Sequence, residues 1–353
     1  MQKSTLLNPK IRYEGIWTEA FEKIENEIIH NKKNLNEAIE TYQKDKLRQS
    51  AGNKFSFNIH KKIGLVSDPN QTPAQRLVVK NGNYAIAPVD HTFNNEFIND
   101  LLKIINEQRE QIDCIVELGS GIGRHIFALA DRLIPYQKQK QIEYFACEYT
   151  DSGQETCKKL LKYSNEQKIH VEYFDYINPD LSFLPKKKNY LFFTFHSIEQ
   201  IPALKRAVID EILTISDNCI CLHAEPVGWQ YNEDLIKYRK ETQAGTWKQK
   251  QPFLKRKLSK LNRRLFERHG MNFMKMSHKH GIELDKNDID KPDKVSVNAA
   301  KLSLERNYNT NLIPLLKTIE SDGLIKIDSE MINIYGKKPF NPTTIIAWHK
   351  LNN

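Results

Sequence analysis

The chain of 353 residues is poor in cysteine: five residues, none paired as Cys-x-x-Cys or set with zinc-ligand spacing. Cys114, Cys147, Cys157, Cys219 and Cys221 are odd in number, and four of them sit in apolar, strand-like runs. The expectation is therefore reduced, buried thiols in a cytoplasmic protein, not a disulfide framework. Long apolar runs are also missing. None approaches the ~18 residues of a membrane-spanning helix. The opening MQKSTLLNPKIRYEG has no apolar core and is not expected to be a secretory signal. No internal repeat is found. With 39% apolar and 27% charged residues, disorder of the whole chain is excluded. A net charge of +9 leaves two readings open, an anionic partner or a lysine-rich soluble surface.

Residues 1–50 read as helical, with Ile16, Ala20, Phe21, Ile24, Ile28 and Ile29 at helical spacing. Residues 51–83 carry Gly, Pro, Asn and Ser at intervals and read as irregular. A helix is expected over 94–109. Strand and helix then alternate. Strand-like runs at 112–118, 142–148, 169–175, 190–196 and 218–224 are separated by helical patterns at about 124–134, 152–163 and 200–215. The strands are apolar on both faces, as buried parallel strands are, and repeated βα units imply a sheet covered by helices on both sides. The rhythm breaks over 227–305, which is polar and basic. A helix at 306–322 and two strands at 324–334 and 343–349 follow, the strands close enough in sequence to pair antiparallel. The predicted organisation is a helical or irregular N-terminal extension (1–84), an α/β core (85–226), a basic helical insert or lid (227–305) and a segment that completes the core (306–353).

The stretch CIVELGSGIGRH, residues 114–125, is the strongest signal. An apolar strand ends in Glu117 and then Gly119, Ser120, Gly121 and Gly123. A dinucleotide fingerprint is GxGxxG; here the third glycine comes one position early. A carboxylate just before the loop is ill-suited to a pyrophosphate and well suited to a ligand carrying an amino group and a sulfonium. The glycines let backbone approach that ligand, and a helix starts at once. Glu148 ends the second strand-like run and Asp175 the third.

Together these residues resemble motif I and the following positions of the class I S-adenosylmethionine-dependent methyltransferases, over about 85–226 and 306–351. The resemblance implies a Rossmann-like sheet of seven strands, mostly parallel with the last antiparallel, flanked by helices. It implies S-adenosylmethionine as cofactor, with Glu117 on the amino group, Glu148 on the ribose hydroxyls and Asp175 on the adenine amino group. Phe174 or Tyr176 would lie beside the ring, and Phe195 lines the same site. The amino-methylating sequence NPPY is missing from the corresponding place in the fourth strand, which reads FTFHSIEQIP.

At that place His196 is placed to act as general base for a hydroxyl, with Glu199 orienting it or gripping the substrate; alternatively His196 satisfies local backbone and Glu199 caps a helix. In HAEPVGWQ, Glu225 and Trp229 read either as substrate contacts or as a capping acid and a core tryptophan. Tyr308 and Asn309, in RNYNTNL, read as recognition of a polar substrate or as helix capping. His91 and Phe93 are candidates for closing the cofactor. No metal site is expected: Asp285, Asp288, Asp290 and Asp293 lack the glycine and glutamate of a calcium loop, and His278 and His280 have no evident third ligand. In LKRKLSKLNRRLFERHG, leucines form one stripe (Leu254, Leu258, Leu261, Leu265) and cations, among them Arg263, Arg264 and Arg268, fill the rest, a lid helix or a docking face. The expected activity is methylation of a polar small molecule (sugar, peptide or natural product) on oxygen. Methylation of a protein or RNA through the basic insert is the alternative, and a non-catalytic cofactor-binding sensor or scaffold is the third reading.

Overall fold

A computed structural model describes residues 9–51, 61, 75–108, 112–134, 141–166, 168–186, 188–243, 284 and 292–352. The basic stripe at 254–268, the histidines 278 and 280, and Asp285, Asp288 and Asp290 lie outside the described residues.

Two helices open the chain, α1 (Pro9–Ile29) and α2 (Leu35–Ala51). A hairpin follows, β1 (Gln75–Lys80) and β2 (Asn83–Pro88), then α3 (Asn94–Gln108). The alternating region is β3 (Cys114–Leu118), α4 (Arg124–Leu133), β4 (Glu143–Glu148), α5 (Asp151–Leu161), β5 (Ile169–Tyr173), β6 (Lys188–Phe195), α6 (Arg206–Ile215) and β7 (Ser216–Glu225). Helices α7 (Glu233–Gln243), α8 (Pro292–Arg306) and α9 (Leu312–Ser321) precede the last strands, β8 (Ile325–Gly336) and β9 (Thr343–Lys350).

The strands form one sheet in the order β2-β1-β8-β9-β7-β6-β3-β4-β5. Strands β5, β4, β3, β6 and β7 are parallel, and β9 enters antiparallel between β7 and β8. The seven expected strands are there, but the sheet has nine. The correction is the β1–β2 hairpin, in a stretch read as mostly irregular. Asn81 and Gly82 both take positive φ (50° and 75°), as a two-residue hairpin turn requires. The turn is tied to the sheet by Asn81 N–H to Ile334 O and Gly82 N–H to Asn333 O. The sheet thus begins at Gln75, ahead of residue 85. Two helix boundaries also differ. Helix α6 starts at Arg206, because residues 198–200 form a separate short turn, and 292–306 is a helix of its own before α9.

Side chains alternate across the sheet. Ile115, Tyr144, Leu191, Phe193 and Leu222 face a core shared with Ala20 and Ile24 of α1, Ile39 and Tyr42 of α2, Phe97 and Leu101 of α3 and Ile126 of α4. Cys114, Val116, Phe145, Phe192 and Cys221 face the other core, with Val208, Ile209 and Ile212 of α6 and Leu312, Leu316 and Ile319 of α9. Strands β3, β4, β6 and β7 are mostly apolar on both faces because each face is covered, whereas the edge strand β5 (IHVEY) is half-exposed and carries His170 and Glu172. All five cysteines are buried and free. No described helix is long and apolar enough to cross a membrane.

From β3 the chain winds to β4 and β5 on one side, then returns to β6 and β7 on the other. The strand order reverses between β3 and β6. At such a point the connections leave in opposite directions and open a crevice at the strands' carboxyl ends.

Candidate active site

The glycine loop leaves β3 at that crevice. Gly119 N–H (2.8 Å) and Ser120 N–H (2.9 Å) both bond to Cys147 O on β4, which fixes the loop's path. Gly123 has a φ of 78°, and a Cβ there would lie 2.6 Å from Cys157 Sγ on α5; only glycine permits both the turn and that approach. Gly121 has a φ of 58°, and a Cβ there would lie 3.1 Å from the indole of Trp17. Helix α1 therefore lies over the loop, and Trp17 also accepts from Thr156 Oγ1 through its carbonyl (3.2 Å).

Glu117 is 1% exposed. Its Oε1 meets His125 Nδ1 at 2.7 Å, and His125 Nε2 lies 2.7 Å from Arg124 Nη2. Burial pushes the Glu117 carboxyl well above the usual carboxylate range, with Arg124 opposing. Burial, then Arg124 and Lys337, hold the His125 imidazole well below its ordinary value. Glu117 and His125 are thus a buried, hydrogen-bonded pair. The other oxygen, Glu117 Oε2, is buried and has no protein partner; neither have Ser120 Oγ and Trp17 Nε1. Three orphaned polar atoms at one loop are unusual for a protein interior, where such atoms are nearly always bonded.

Glu148 Oε2 accepts from Gly121 N–H (2.8 Å), and Oε1 accepts from Thr150 N–H (2.9 Å) and Oγ1 (2.6 Å). Tyr176 donates to Leu118 O (2.8 Å) and pairs with Ser197 Oγ (2.8 Å), so its ring stands where β3 meets β6. Asp175 is spent locally on Ile177 N–H (2.7 Å) and Asn178. The Phe195 ring packs on Phe97 and His125, with the Arg124 guanidinium 5.5 Å above it. Phe93 stacks on Tyr335, and His91 pairs with Glu96.

His196 follows β6 with a φ of +53°, a left-handed conformation that non-glycine residues adopt at a cost of about 1 kcal/mol or more. Its Nε2 meets Thr343 Oγ1 at 2.7 Å and its Nδ1 lies 3.3 Å from Glu199 Oε2. Asn341 Nδ2 donates to the same Glu199 oxygen (2.9 Å). Burial raises the Glu199 carboxyl, but His196, Asn341 and Lys338 hold it below its ordinary value. Glu225 is fully buried and accepts from the N–H groups of Ser197 (3.0 Å), Ile198 (3.1 Å) and Glu199 (3.2 Å). It shapes the turn that carries His196 and Glu199.

The structure therefore gathers Glu117, the glycines, Ser120, Glu148, Tyr176, Phe195, His196 and Glu199 around one crevice. Other candidates it places elsewhere or turns inward. Trp229 is wholly buried against Ala299 and Ala300. Asn309 is buried, and its Oδ1 accepts from Asn311 N–H (3.0 Å) and Leu312 N–H (2.9 Å), capping α9. Tyr308 N–H bonds to Ser303 O, at the end of α8. The Asn309 and Trp229 side chains hold the loop 307–312 and the turn 228–231 to the core. Asp293 is exposed in the first turn of α8. Among the described residues no cluster of three His, Cys, Asp or Glu could hold a metal.

The sequence reading missed Trp17, Arg124, His125, Asn341 and Thr343. Arg124 and His125 directly follow Gly123, so the first turn of α4 carries them toward Glu117. Nothing in the sequence marks Trp17, Asn341 or Thr343, which reach the site from far along the chain. A groove of 820 Å³ beside Asp100, Asn189, Asn218 and His349 opens at the starts of β6 and β7, the opposite end of those strands from the glycine loop.

No family model and no curated protein matches the sequence. Among solved structures, it is similar to magnesium protoporphyrin IX methyltransferase from Synechocystis PCC 6803 with bound SAH (9% identity, TM-score 0.39, 87% of this chain and 100% of that one). It is also similar to the DszA carbon methyltransferase (11%, TM-score 0.32, 62% and 48%). A third is CalS10, an amino pentose methyltransferase from Micromonospora echinaspora, with SAM bound (12%, TM-score 0.27, 38% and 50%). At those scores the likeness is one of general shape and carries no functional weight.

Proposed function

We propose that the chain is an S-adenosylmethionine-dependent methyltransferase that methylates a polar small molecule, on oxygen. The observation that carries this reading is the group of orphaned buried atoms at the glycine loop, led by Glu117 Oε2. A carboxylate oxygen without a partner, deep at a strand end, suits a cationic amino group, and no protein cation fills the place. Glu148, at the end of β4 beside the loop, accepts from Gly121 and Thr150, and a carboxylate in that position suits ribose hydroxyls. Ser120 Oγ and Trp17 Nε1 add polar atoms along the same cradle. When bound, the cofactor supplies an electrophilic methyl group on a sulfonium.

The chain's own work is to bind, to exclude water and to move one proton. With the Nδ1 proton of His196 turned to Glu199, Nε2 is the nitrogen that takes a proton from an acceptor hydroxyl, and the Thr343 hydroxyl rotates to make room. Glu199, fixed by Asn341, orients the ring and stabilises the imidazolium that results. The cover that α1 and Trp17 provide suits a small acceptor.

Isothermal titration with S-adenosylhomocysteine tests the binding half. The Glu117→Ala variant should lose about tenfold to a hundredfold in affinity, the range for a hydrogen bond to a charged group. Unchanged affinity would remove the cofactor assignment. His196→Ala should bind the same ligand as the parent does while a methyl-transfer assay on fractionated cell extract loses its product.

A further inference from the structure

A group of cations adjoins this crevice, and the reaction just described has no use for it. Arg76 lies in β1 and is 5% exposed, yet its Nε and Nη1 are buried and donate to no protein acceptor. It shares a sheet face with Val78, which packs in the same core as Phe93, Phe97 and Tyr335. Opposite Arg76 on β2 is Ala87, and opposite Val78 is Ala85, two small side chains that leave the guanidinium uncrowded. Lys337 follows Gly336, whose partner across the β1–β8 ladder is Val79. Lys337 therefore comes alongside Val78, diagonal to Arg76. Arg124 completes the group, from the first turn of α4. It meets His125 and overlies Phe195.

Lys337 lies within reach of the charges of both arginines. Burial, with Arg124, Lys338 and Arg76 nearby, holds the Lys337 ammonium well below its ordinary value, and Glu40 opposes this. Burial lowers Arg76 to about 10. Two carboxylates, Glu117 and Glu40, act on Arg124, but neither bonds Arg76 Nε or Nη1. Glu40 accepts from Thr92 (3.0 Å) and Asn94 (2.9 Å), with Lys44 at 3.7 Å. Glu117 is bonded to His125. Removing an arginine from water without giving its N–H groups acceptors is strongly unfavourable. A fold that nonetheless keeps one, with two more cations beside it, is arranged for a negative partner from outside.

We propose that Arg76, Arg124 and Lys337 form the seat of an oxyanion, a carboxylate or phosphate group, carried by the methyl acceptor. Arg124 and His125 connect this seat to Glu117, and Phe195 connects it to His196, so an acceptor anchored there presents its hydroxyl toward the base. That the anion belongs to a methyl acceptor rests on the methyltransferase reading; the seat itself does not.

The test uses the full chain in chloride buffer at constant ionic strength, with and without S-adenosylhomocysteine. Inorganic phosphate is titrated in one arm and acetate in the other, and binding is followed by calorimetry and by the shift in Tm. Saturable stabilisation by phosphate alone identifies a phosphoryl seat, and by acetate alone a carboxylate seat. Arg76→Gln should weaken the effective anion by about tenfold or more, the loss of charge-assisted bonds. Its affinity for S-adenosylhomocysteine should stay within about twofold, as expected of separate sites. Lys337→Gln, at a less buried position, gives the same readout if Arg76→Gln fails to fold. Two results overturn the proposal: neither anion binds the parent protein, or both variants bind as tightly as the parent. A protein that binds an anion through Arg76 but never S-adenosylhomocysteine would instead refute the methyltransferase reading and leave the seat standing.

Discussion

Glu225 shows at the residue scale how one acid can be structural in a site full of acids. Burial, with Glu199 beside it, pushes its carboxyl up to about 8, against the N–H groups of Ile198 and Ser197. A carboxyl raised in the folded state binds more protons there than in the unfolded chain. Its contribution to stability is therefore fullest below the ordinary carboxylate range and declines as pH rises toward 8. Glu225→Gln keeps an acceptor oxygen for the turn and cannot ionise. Thermal melts from pH 5 to 8 should show the variant gaining on the parent as pH rises, by no more than about 1.4 kcal/mol per pH unit. A constant difference across that range would mean that Glu225 does not titrate there. His196 and Glu199 were legible in the sequence because they directly follow a strand end; that Glu225 serves them through three backbone N–H groups was not.

The strand-to-helix turn at Gly119–Gly123 is the element on which the site depends. Its three positive φ angles and its contact with α5 make it rigid before any ligand arrives. Gly123→Ala should destabilise the protein by roughly 1–3 kcal/mol, combining the left-handed backbone with the clash against Cys157 Sγ. Adding Cys157→Ala should recover only the clash, leaving about 1–2 kcal/mol for the backbone. Chemical denaturation of the three proteins measures this. Full recovery would show that the contact alone requires glycine. The β1–β2 hairpin was overlooked because its turn chemistry, Asn-Gly, stood among other Gly, Pro and Asn residues that read as a loop. The alternation of LVV and YAIA beside that turn was the available signal.

On the scale of the whole molecule, α1 and α2 are part of the main core. Ala20, Ile24, Ala38, Ile39 and Tyr42 are buried in the same cluster as the strands β3, β4, β6 and β7. The N-terminal segment therefore behaves as a wall of the domain, and its removal bares apolar surface on the sheet and uncovers the glycine loop. A chain starting at residue 75 should aggregate or bind a hydrophobic dye on expression. If it were monomeric, cooperative in unfolding and equal to the full chain in S-adenosylhomocysteine affinity, α1 would be dispensable to both core and site.

The sequence by itself determined the alternation of strands and helices, the glycine loop, the acids at the ends of β3 and β4, and the histidine just after β6. These are local properties: apolar periodicity, turn chemistry and position relative to a strand end are written within a dozen residues. Only the tertiary structure decided which side chains share the crevice. Trp17 meets the glycine loop because α1 lies over α5, and Asn341 and Thr343 reach Glu199 and His196 from the far end of the chain. It also decided that Trp229, Asn309 and Glu225 are interior. For Asn309 and Glu225 polarity gives no warning of that, because a polar side chain is buried at little cost once backbone groups answer its hydrogen bonds; Trp229 is interior through its packing on Ala299 and Ala300.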